Sequence, residues 1–302
     1  VNLSGGQLTV GTGVTIGIAG IATFRSGRID VGDSLDNLSI GEGAGDAHTT
    51  GTHNTAIGLN ALTANTTGGQ NVAVGNYAGD ANTTGSRNTS LGYNAGSTTT
   101  TGNDNTSVGR QALVLNTTGD NNCAFGNSAL EQNTTADDNS AFGFYALAAN
   151  TTGASNVAVG KHALYANTTA SNNTALGYAA LSANTTGQQQ VSVGAISLDA
   201  NTTGNYNTAL GYATLSGNTT GDNNTAVGLS ALYSNTTASN NTAVGKETLL
   251  LNTTGTQNTA VGALALDANT TASNNTALGY AALTSNTTGA GNVAVGAVAL
   301  DA

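Results

Sequence analysis

The chain has 302 residues, of which 42 are Gly, 51 Thr and 40 Asn, and it contains no Pro, Met or Trp. Charged residues are 7% and aromatic residues 4% of the chain, which excludes a conventional core and a conventional helical protein. The net charge of −10 argues against nucleic acid and against anionic membranes as partners, because both are bound through clustered Lys and Arg. No run of 18 or more apolar residues occurs, so we predict no insertion into a membrane.

Residues 1–36 lie outside the repeat described below. Apolar residues alternate with Gly breaks over residues 8–21, which predicts short strands that form a β cap or a connector. The segment Gly11-Thr12-Gly13 lacks the Lys-Ser/Thr ending of a phosphate loop. The chain begins at Val1 and ends at Ala302 in mid-repeat, so we expect it to be a fragment of a longer polypeptide.

Residues 37–302 form a strict 17-residue repeat, without insertion or deletion. Strict phase predicts that each unit stacks on the previous one in the same geometry. A disordered polar tract would have no reason to keep apolar residues in phase. The repeat glycines are Gly41, Gly58, Gly75, Gly92, Gly109, Gly126, Gly143, Gly160, Gly177, Gly194, Gly211, Gly228, Gly245, Gly262, Gly279 and Gly296.

The three residues before each repeat glycine form one predicted strand. The residue directly before the glycine is large and apolar, as at Ile57, and we predict that it is a core position. The residue before that is Ala or Ser in all 16 copies, as at Ala56. Because strand side chains alternate between faces, and because this column admits only small residues, we predict that the strand is buried on both sides.

The rest of each unit contains a second predicted strand and two turns. Leu occupies the fourth place after the glycine in 13 of 16 copies, as at Leu62, and is the second predicted core contact. Two Thr follow in all 15 copies of the Asn-Thr-Thr segment, and a polar pair then marks an exposed turn. We therefore predict an all-β parallel β-solenoid (β-roll) of 16 stacked 17-residue coils.

Two further columns have structural interpretations. Asn stands four residues before the repeat glycine in 15 of 16 copies, with Gln190 as the exception, and predicts a ladder of side-chain amides. The column directly after this Asn holds mostly Thr or Val, and Cys123 stands in that column. A small packed side chain is the favoured interpretation of Cys123, and a reactive thiol is the alternative.

Oligomerisation is predicted from how little each unit can bury. One coil holds two large aliphatic side chains. Burial of these two side chains stabilises the coil by less than the conformational entropy that is lost when the whole coil is ordered. Packing of the Ala/Ser face against other subunits would add burial, and a face of small residues suits three coils that meet around an axis. We therefore expect a homotrimer, with a monomer as the alternative.

The recurring Asn-Thr-Ala-Val-Gly unit resembles the β-roll of trimeric autotransporter adhesin heads. The full pattern Asn-Thr-Ala-Val-Gly-x-x-Ala-Leu-x-x-Asn-Thr-Thr-Gly is similar to repeats of phage tail fibres and tail-fibre-like proteins. The resemblance covers residues 37–302. It implies a left-handed, trimeric, extracellular fibre that spans distance, joins other fibre or virion modules at its ends and contacts a host glycan or receptor.

Catalysis, cofactor binding and metal binding have little support, and we predict no residue for any of them. Asp137-Asp138 and Glu131 are close in sequence, but a solvated turn is favoured over a carboxylate pair. The histidines are isolated, with a metal site at His48 and His53 as the weaker alternative. His162 is the third histidine.

The Asn-Thr-Thr segment has three interpretations. A structural ladder is favoured, because the middle Thr is invariant although an N-glycosylation acceptor leaves it free. Glycosylation at residues such as Asn65, Asn116 and Asn201 is the second, and ice binding by a Thr array is the third. Tyrosines occupy variable columns and are scattered rather than clustered in the sequence. They are expected to fill grooves on the outer wall, with carbohydrate contact as the alternative. They are Tyr77, Tyr93, Tyr145, Tyr165, Tyr178, Tyr212, Tyr233 and Tyr280.

These patterns predict a non-enzymatic shaft of an extracellular trimeric fibre, either a phage tail fibre or a similar adhesive fibre. The alternative is a secreted cell-surface filament or adhesin assembled end to end. An enzyme of the tailspike type is less favoured, because such an enzyme would interrupt the coils to build a cleft.

Overall fold

The computed structural model describes residues 34–301, and the predicted cap over residues 1–36 therefore lies almost entirely outside the described residues. The fold is an all-β parallel β-solenoid, as the sequence predicts. One sheet of 16 parallel strands runs through the stack in sequence order, and no helix occurs in residues 34–301. The strands are β1 (Leu38–Ile40), β2 (Thr55–Ile57), β3 (Val72–Val74), β4 (Thr89–Leu91), β5 (Thr106–Val108), β6 (Cys123–Phe125), β7 (Ser140–Phe142), β8 (Val157–Val159), β9 (Thr174–Leu176), β10 (Val191–Val193), β11 (Thr208–Leu210), β12 (Thr225–Val227), β13 (Thr242–Val244), β14 (Thr259–Val261), β15 (Thr276–Leu278) and β16 (Val293–Val295).

The register between neighbouring strands is the 17-residue period itself. Ala56 pairs with Ala73, and Ile57 pairs with Val74. β-Branched residues suit these short strands, because they pack well on a pleated surface. Backbone bonds continue beyond the strand, since the Gly58 N–H donates to the carbonyl of Ile40 one coil earlier at 2.8 Å. Every coil therefore repeats the pairing of the coil before it.

The repeat glycine is required where each strand ends. Gly58 has a φ of 132°, a region that side chains rarely adopt. A Cβ at Gly58 would lie 2.6 Å from the carbonyl oxygen of Gly75 in the next coil. Both the conformation and the close stacking exclude other residues, which explains why this column is Gly in all 16 copies.

The predicted second strand does not form. Each coil has one strand of three residues, and the Ala-Leu segment is a turn. Asn60 and Leu62 have φ values of 55° and 50°, in the left-handed region, so the backbone between them cannot be extended. The segment still bonds to the next coil, since the Leu62 N–H donates to the Ala78 carbonyl at 3.1 Å.

The core runs along the interior of the stack. The Leu column is buried as predicted, and Leu113, Leu147 and Leu181 are fully enclosed. Small residues of the strands face these leucines, as Ala124 and Ala158 do. The leucine column is interrupted by Gly79 and Gly96, and the apolar core is accordingly divided into two clusters, one that ends at Ala78 and one that begins at Ala112.

The predicted amide ladder is confirmed, and a second one accompanies it. Asn71 accepts at Oδ1 from the Asn88 N–H at 2.9 Å, and it donates from Nδ2 to the Gly85 carbonyl at 2.9 Å. Asn82 of the Asn-Thr-Thr segment donates to the same carbonyl and to Asn65 Oδ1. These buried amides hold successive coils together, because a buried amide is costly unless it is paired.

The two faces of the sheet are opposite to the prediction. The Ala/Ser column points into the coil and is buried, as at Ala158 with no exposed surface. The large residues before the repeat glycine point outwards: Leu91 is 45% exposed and Phe125 is 53% exposed. The prediction of a core position there was wrong, because one Leu and small residues already fill the narrow interior. In the single chain the strand is thus buried on one side.

Candidate functional site

The outer sheet face consists of the first and third residues of strands β1 to β16. These 32 positions hold aliphatic, Phe, Thr, Ser and Cys side chains, and none of them is charged. The face is a continuous strip, because all strands are parallel and in register. Side chains of successive coils contact along it, as shown by the Phe125 and Phe142 rings, which stack with centroids 6.3 Å apart.

The size of the outer sheet face marks it as a candidate interface. Sixteen coils at about 4.8 Å each give a length of roughly 77 Å, and a three-residue strand is about 10 Å wide. The area is therefore on the order of 800 Å², which is what one partner of a standard protein interface contributes. Ten of the 32 positions are Thr or Ser, and the others carry aliphatic, Phe and Cys side chains. Exposed surface of this mainly apolar kind on soluble proteins usually marks an interaction site.

Cys123 lies on the outer sheet face as the first residue of β6. It is a free cysteine of intermediate exposure, and burial raises the pKa of its thiol. A raised pKa reduces the thiolate fraction and hence the reactivity. The structure thus places Cys123 on the outer sheet face rather than in the core.

The two threonines of the Asn-Thr-Thr segment have different environments. The first donates its hydroxyl to the backbone of the next coil, as Thr66 Oγ1 does to the Thr83 carbonyl at 3.0 Å. The second is exposed in all 15 copies, as at Thr67. The structural interpretation therefore holds for the first Thr and does not explain the second.

N-glycosylation is incompatible with the folded coil. Asn65, Asn116 and Asn201 have no exposed surface. Their Nδ2 atoms, which would carry the sugar, donate to backbone carbonyls at 2.9–3.1 Å. Ice binding would need both hydroxyls on the surface, whereas the first is held in a bond to the next coil.

The structure shows the surroundings of two of the acidic and histidine candidates. Asp137 is exposed, and its carboxylate accepts from the Asp120 N–H at 2.8 Å, which is a structural role. His53 faces Asp36 across 3.8 Å in an exposed position. No group of three or more His, Cys, Asp or Glu side chains that could hold a metal ion occurs within residues 34–301.

Two aspartates beside the Leu column are half-buried, and desolvation disfavours their charged form. Asp80 and Asp199 each follow the residue at the Leu position directly, and desolvation raises the pKa of both carboxyl groups. A backbone N–H opposes this effect in each case. Isolated carboxylates of this kind offer no second group for acid–base chemistry.

An aromatic cluster forms where the sequence predicts scattered side chains. It consists of Phe144, Tyr145, His162 and Tyr165, with Lys161 beside them. Successive coils bring these residues together: Tyr145 and Tyr165 meet edge to face at 6.1 Å, and His162 lies 5.2 Å from Tyr165 between ring centroids. The expectation of isolated tyrosines was wrong here. Positions one repeat apart in the sequence, as Tyr145 and His162 are, become neighbours in the stack, and that spacing is the signal that finds the cluster.

Two general findings complete the description of the site. Within the part of the chain that the structure describes, no helix is long and apolar enough to cross a membrane. Comparison with protein-family models, curated proteins and solved structures finds no match to the chain. Functional inference therefore rests on the outer sheet face and the aromatic cluster.

Proposed function

We propose that the array is the non-enzymatic shaft of an extracellular trimeric fibre, a phage tail fibre or a similar adhesive fibre, which spans distance and supports attachment. One observation carries this proposal: sixteen strands stack in unbroken register, with each coil bonded to the next. Such a stack has a fixed length, roughly 77 Å at about 4.8 Å per coil. A uniform array suits a spacer, whereas an enzyme needs a cleft with converging groups.

The proposed trimer packs through the outer sheet face. This replaces the expectation that the Ala/Ser column meets other subunits, because that column is enclosed within the coil. We favour copies of this chain as the occupant, since a strip about 77 Å long needs an equally long uncharged partner, and a second copy presents one. Copies related by a cyclic axis along the stack would align coil with coil.

The ends and the remaining surface have different proposed roles. Other fibre or virion modules would join the ends of the array, and the outer wall away from the sheet would meet a host surface. The chain is anionic, with 16 acidic and 6 basic residues, which disfavours nucleic acid and anionic lipid in this role.

The oligomeric state tests the self-association. Sedimentation equilibrium of the purified chain should give three times the chain mass of 29.4 kDa. The double variant Leu176→Asp and Leu210→Asp places charges on the outer sheet face and should yield monomers. The control is Thr186→Asp with Thr220→Asp, two exposed positions in the coils that directly follow, and it should remain trimeric. A monomeric wild-type chain would contradict the proposal.

The location of the protein tests the proposed role. Gold-labelled antibodies against the array, applied to intact virions and cells of the source, should decorate virion fibres. Label on filaments of the cell surface would instead support the end-to-end filament. Label that appears only after lysis would contradict an extracellular fibre of either kind.

A further inference from the structure

The structure assigns a saccharide-binding site to the aromatic cluster, with an acidic pyranose as the ligand class. This inference rests on the proposed function as an attachment fibre, and it names the partner of that fibre. The cluster lies on the coils that begin at Gly143 and Gly160, on the wall formed by the turn after the repeat glycine rather than on the outer sheet face.

The cluster departs from the repeat at adjacent positions. Phe144 and Lys161 occupy the first place after the repeat glycine, and Tyr145 and His162 occupy the second. Coils further along hold Ala195-Ile196 or Ala263-Leu264 at the same two places. The fold therefore does not require aromatic residues here. A local concentration of them on two neighbouring coils indicates a surface for binding, since solenoids bind through variable wall positions.

Two rings of the cluster are well exposed to solvent. Phe144 is 44% exposed and Tyr165 is 45% exposed. Phe144 meets Tyr145 edge to face at 4.4 Å, and Phe144 and Tyr145 both lie about 6 Å from His162. A pyranose has an apolar face of C–H groups and a rim of hydroxyls. It can lay that face on a ring, while the tyrosine hydroxyls and the His162 nitrogens reach its rim.

Charge selects an acidic sugar over a neutral one. The Lys161 ammonium lies 5.8 Å from the centroid of the Phe144 ring, where it is held by a cation–π contact. No carboxylate pairs with Lys161 among the ion pairs of residues 34–301, unlike Arg87, which binds Asp104. Lys161 therefore gives this patch a local positive charge in a chain whose net charge is −10. A cation beside exposed rings, with no carboxylate partner within residues 34–301, suits the carboxylate of a uronic or sialic acid.

Saturation-transfer NMR and titration calorimetry of the full chain test the assignment. The probes are 3′-sialyllactose and hexagalacturonic acid, with lactose and maltohexaose as neutral references. We expect transfer from the rings to the ring protons of the acidic sugars. Phe144→Ala and Tyr165→Ala should each weaken that binding tenfold or more. Lys161→Gln should weaken binding of acidic sugars about tenfold and leave the weak binding of neutral sugars unchanged.

The matched control is Tyr212→Ala. Tyr212 occupies the same place after the repeat glycine as Phe144 and is 57% exposed, and no aromatic contact joins it to another ring within residues 34–301. Unchanged binding in Tyr212→Ala is expected. Equal losses in Tyr212→Ala and Phe144→Ala, or no binding of either acidic probe, would overturn the assignment. The oligomeric mass is measured on the same samples. A lower mass in the cluster variants would show that the rings hold copies together instead, whereas an intact trimer without sugar binding would leave the fibre proposal standing.

Discussion

The two faces of the sheet carry residues of opposite size, and their burial is opposite as well. On the inner side, small Ala and Ser residues meet the Leu column and are buried in every strand from β2 to β16. On the outer side, the larger Val, Leu, Ile and Phe residues are partly to half exposed, with Leu91 and Phe125 among the most exposed. The comparison teaches that size in a repeat column does not indicate burial when the interior of the coil is narrow. The small residues fit inside, and the large ones lie on the outer sheet face.

Substitutions at two leucines, one on each side of the coil wall, should show the largest difference in their effect on stability. Leu181→Ala empties a fully buried position, and we expect a loss of 2–5 kcal/mol, about the usual cost of such a cavity. Leu176→Ala changes an outer residue that is 45% exposed. Its effect should grow with protein concentration, because it acts on assembly, whereas the effect of Leu181→Ala should not. Denaturant unfolding at two protein concentrations measures both. A concentration-independent loss in Leu176→Ala would contradict the distinction.

Enlargement of the inner face should have the next largest effect. Ala158 is fully buried against the core, so Ala158→Leu should destabilise the coil itself by about 1–3 kcal/mol. The neighbouring substitution Val159→Leu enlarges an outer residue by one methylene and should leave the unfolding of the coil unchanged. Circular dichroism melting of the two variants compares them directly. Equal melting temperatures would show that the interior accommodates the larger side chain without overpacking.

A smaller effect should separate the two threonines of one segment. Thr185 Oγ1 donates to the Thr202 carbonyl at 3.0 Å, while Thr186 is exposed. We expect Thr185→Val to cost about 0.5–1.5 kcal/mol, and Thr186→Val to change stability by less than about 0.5 kcal/mol. The exposed pair Gln188 and Gln189, each replaced by Ser, serves as a further control for denaturant unfolding. A larger loss in Thr186→Val than in Thr185→Val would reverse the assignment.

The smallest expected effect is a gain. Gln190 interrupts the Asn column, and its amide donates to Asn184 Oδ1 at 3.1 Å. Its neighbour Asn173 donates to the Gly187 carbonyl, a bond of the kind that the regular Asn makes to the next coil. Gln190→Asn should restore that regular pattern at the Gly204 carbonyl and stabilise the array by about 0.5–1 kcal/mol. A loss of stability on denaturant unfolding would mean that the longer amide is better accommodated.

The sequence determined the fold more completely than the surface. Period, parallel pairing, the Leu column and the first amide ladder follow from the repeat alone, because strict phase leaves one way to stack the coils. The prediction of which side chains point inwards was wrong. Alternation along a strand places Ala56 and Ile57 on opposite faces, but it does not indicate which of the two faces the interior. The prediction of a second strand was wrong because Leu62 adopts a left-handed backbone conformation, which leucine rarely does and which its residue type therefore does not indicate. The aromatic cluster forms between side chains on successive coils, whose proximity depends on the stacking of the coils and not on any one column of the repeat.

The most direct test of the central claim, that the outer sheet face is buried between copies, uses the native thiol. In a cyclic assembly Cys123 of every copy lies at the same height on that face. A short bismaleimide, applied at mildly alkaline pH because burial raises the pKa of the thiol, should link copies into covalent dimers. The control replaces Cys123 by Ser and Thr118 by Cys, which moves the thiol to an exposed position of the same coil, and it should give monomers. Mass analysis under denaturing conditions reads the result. Efficient linkage through residue 118 with none through Cys123 would contradict burial of the outer sheet face between copies.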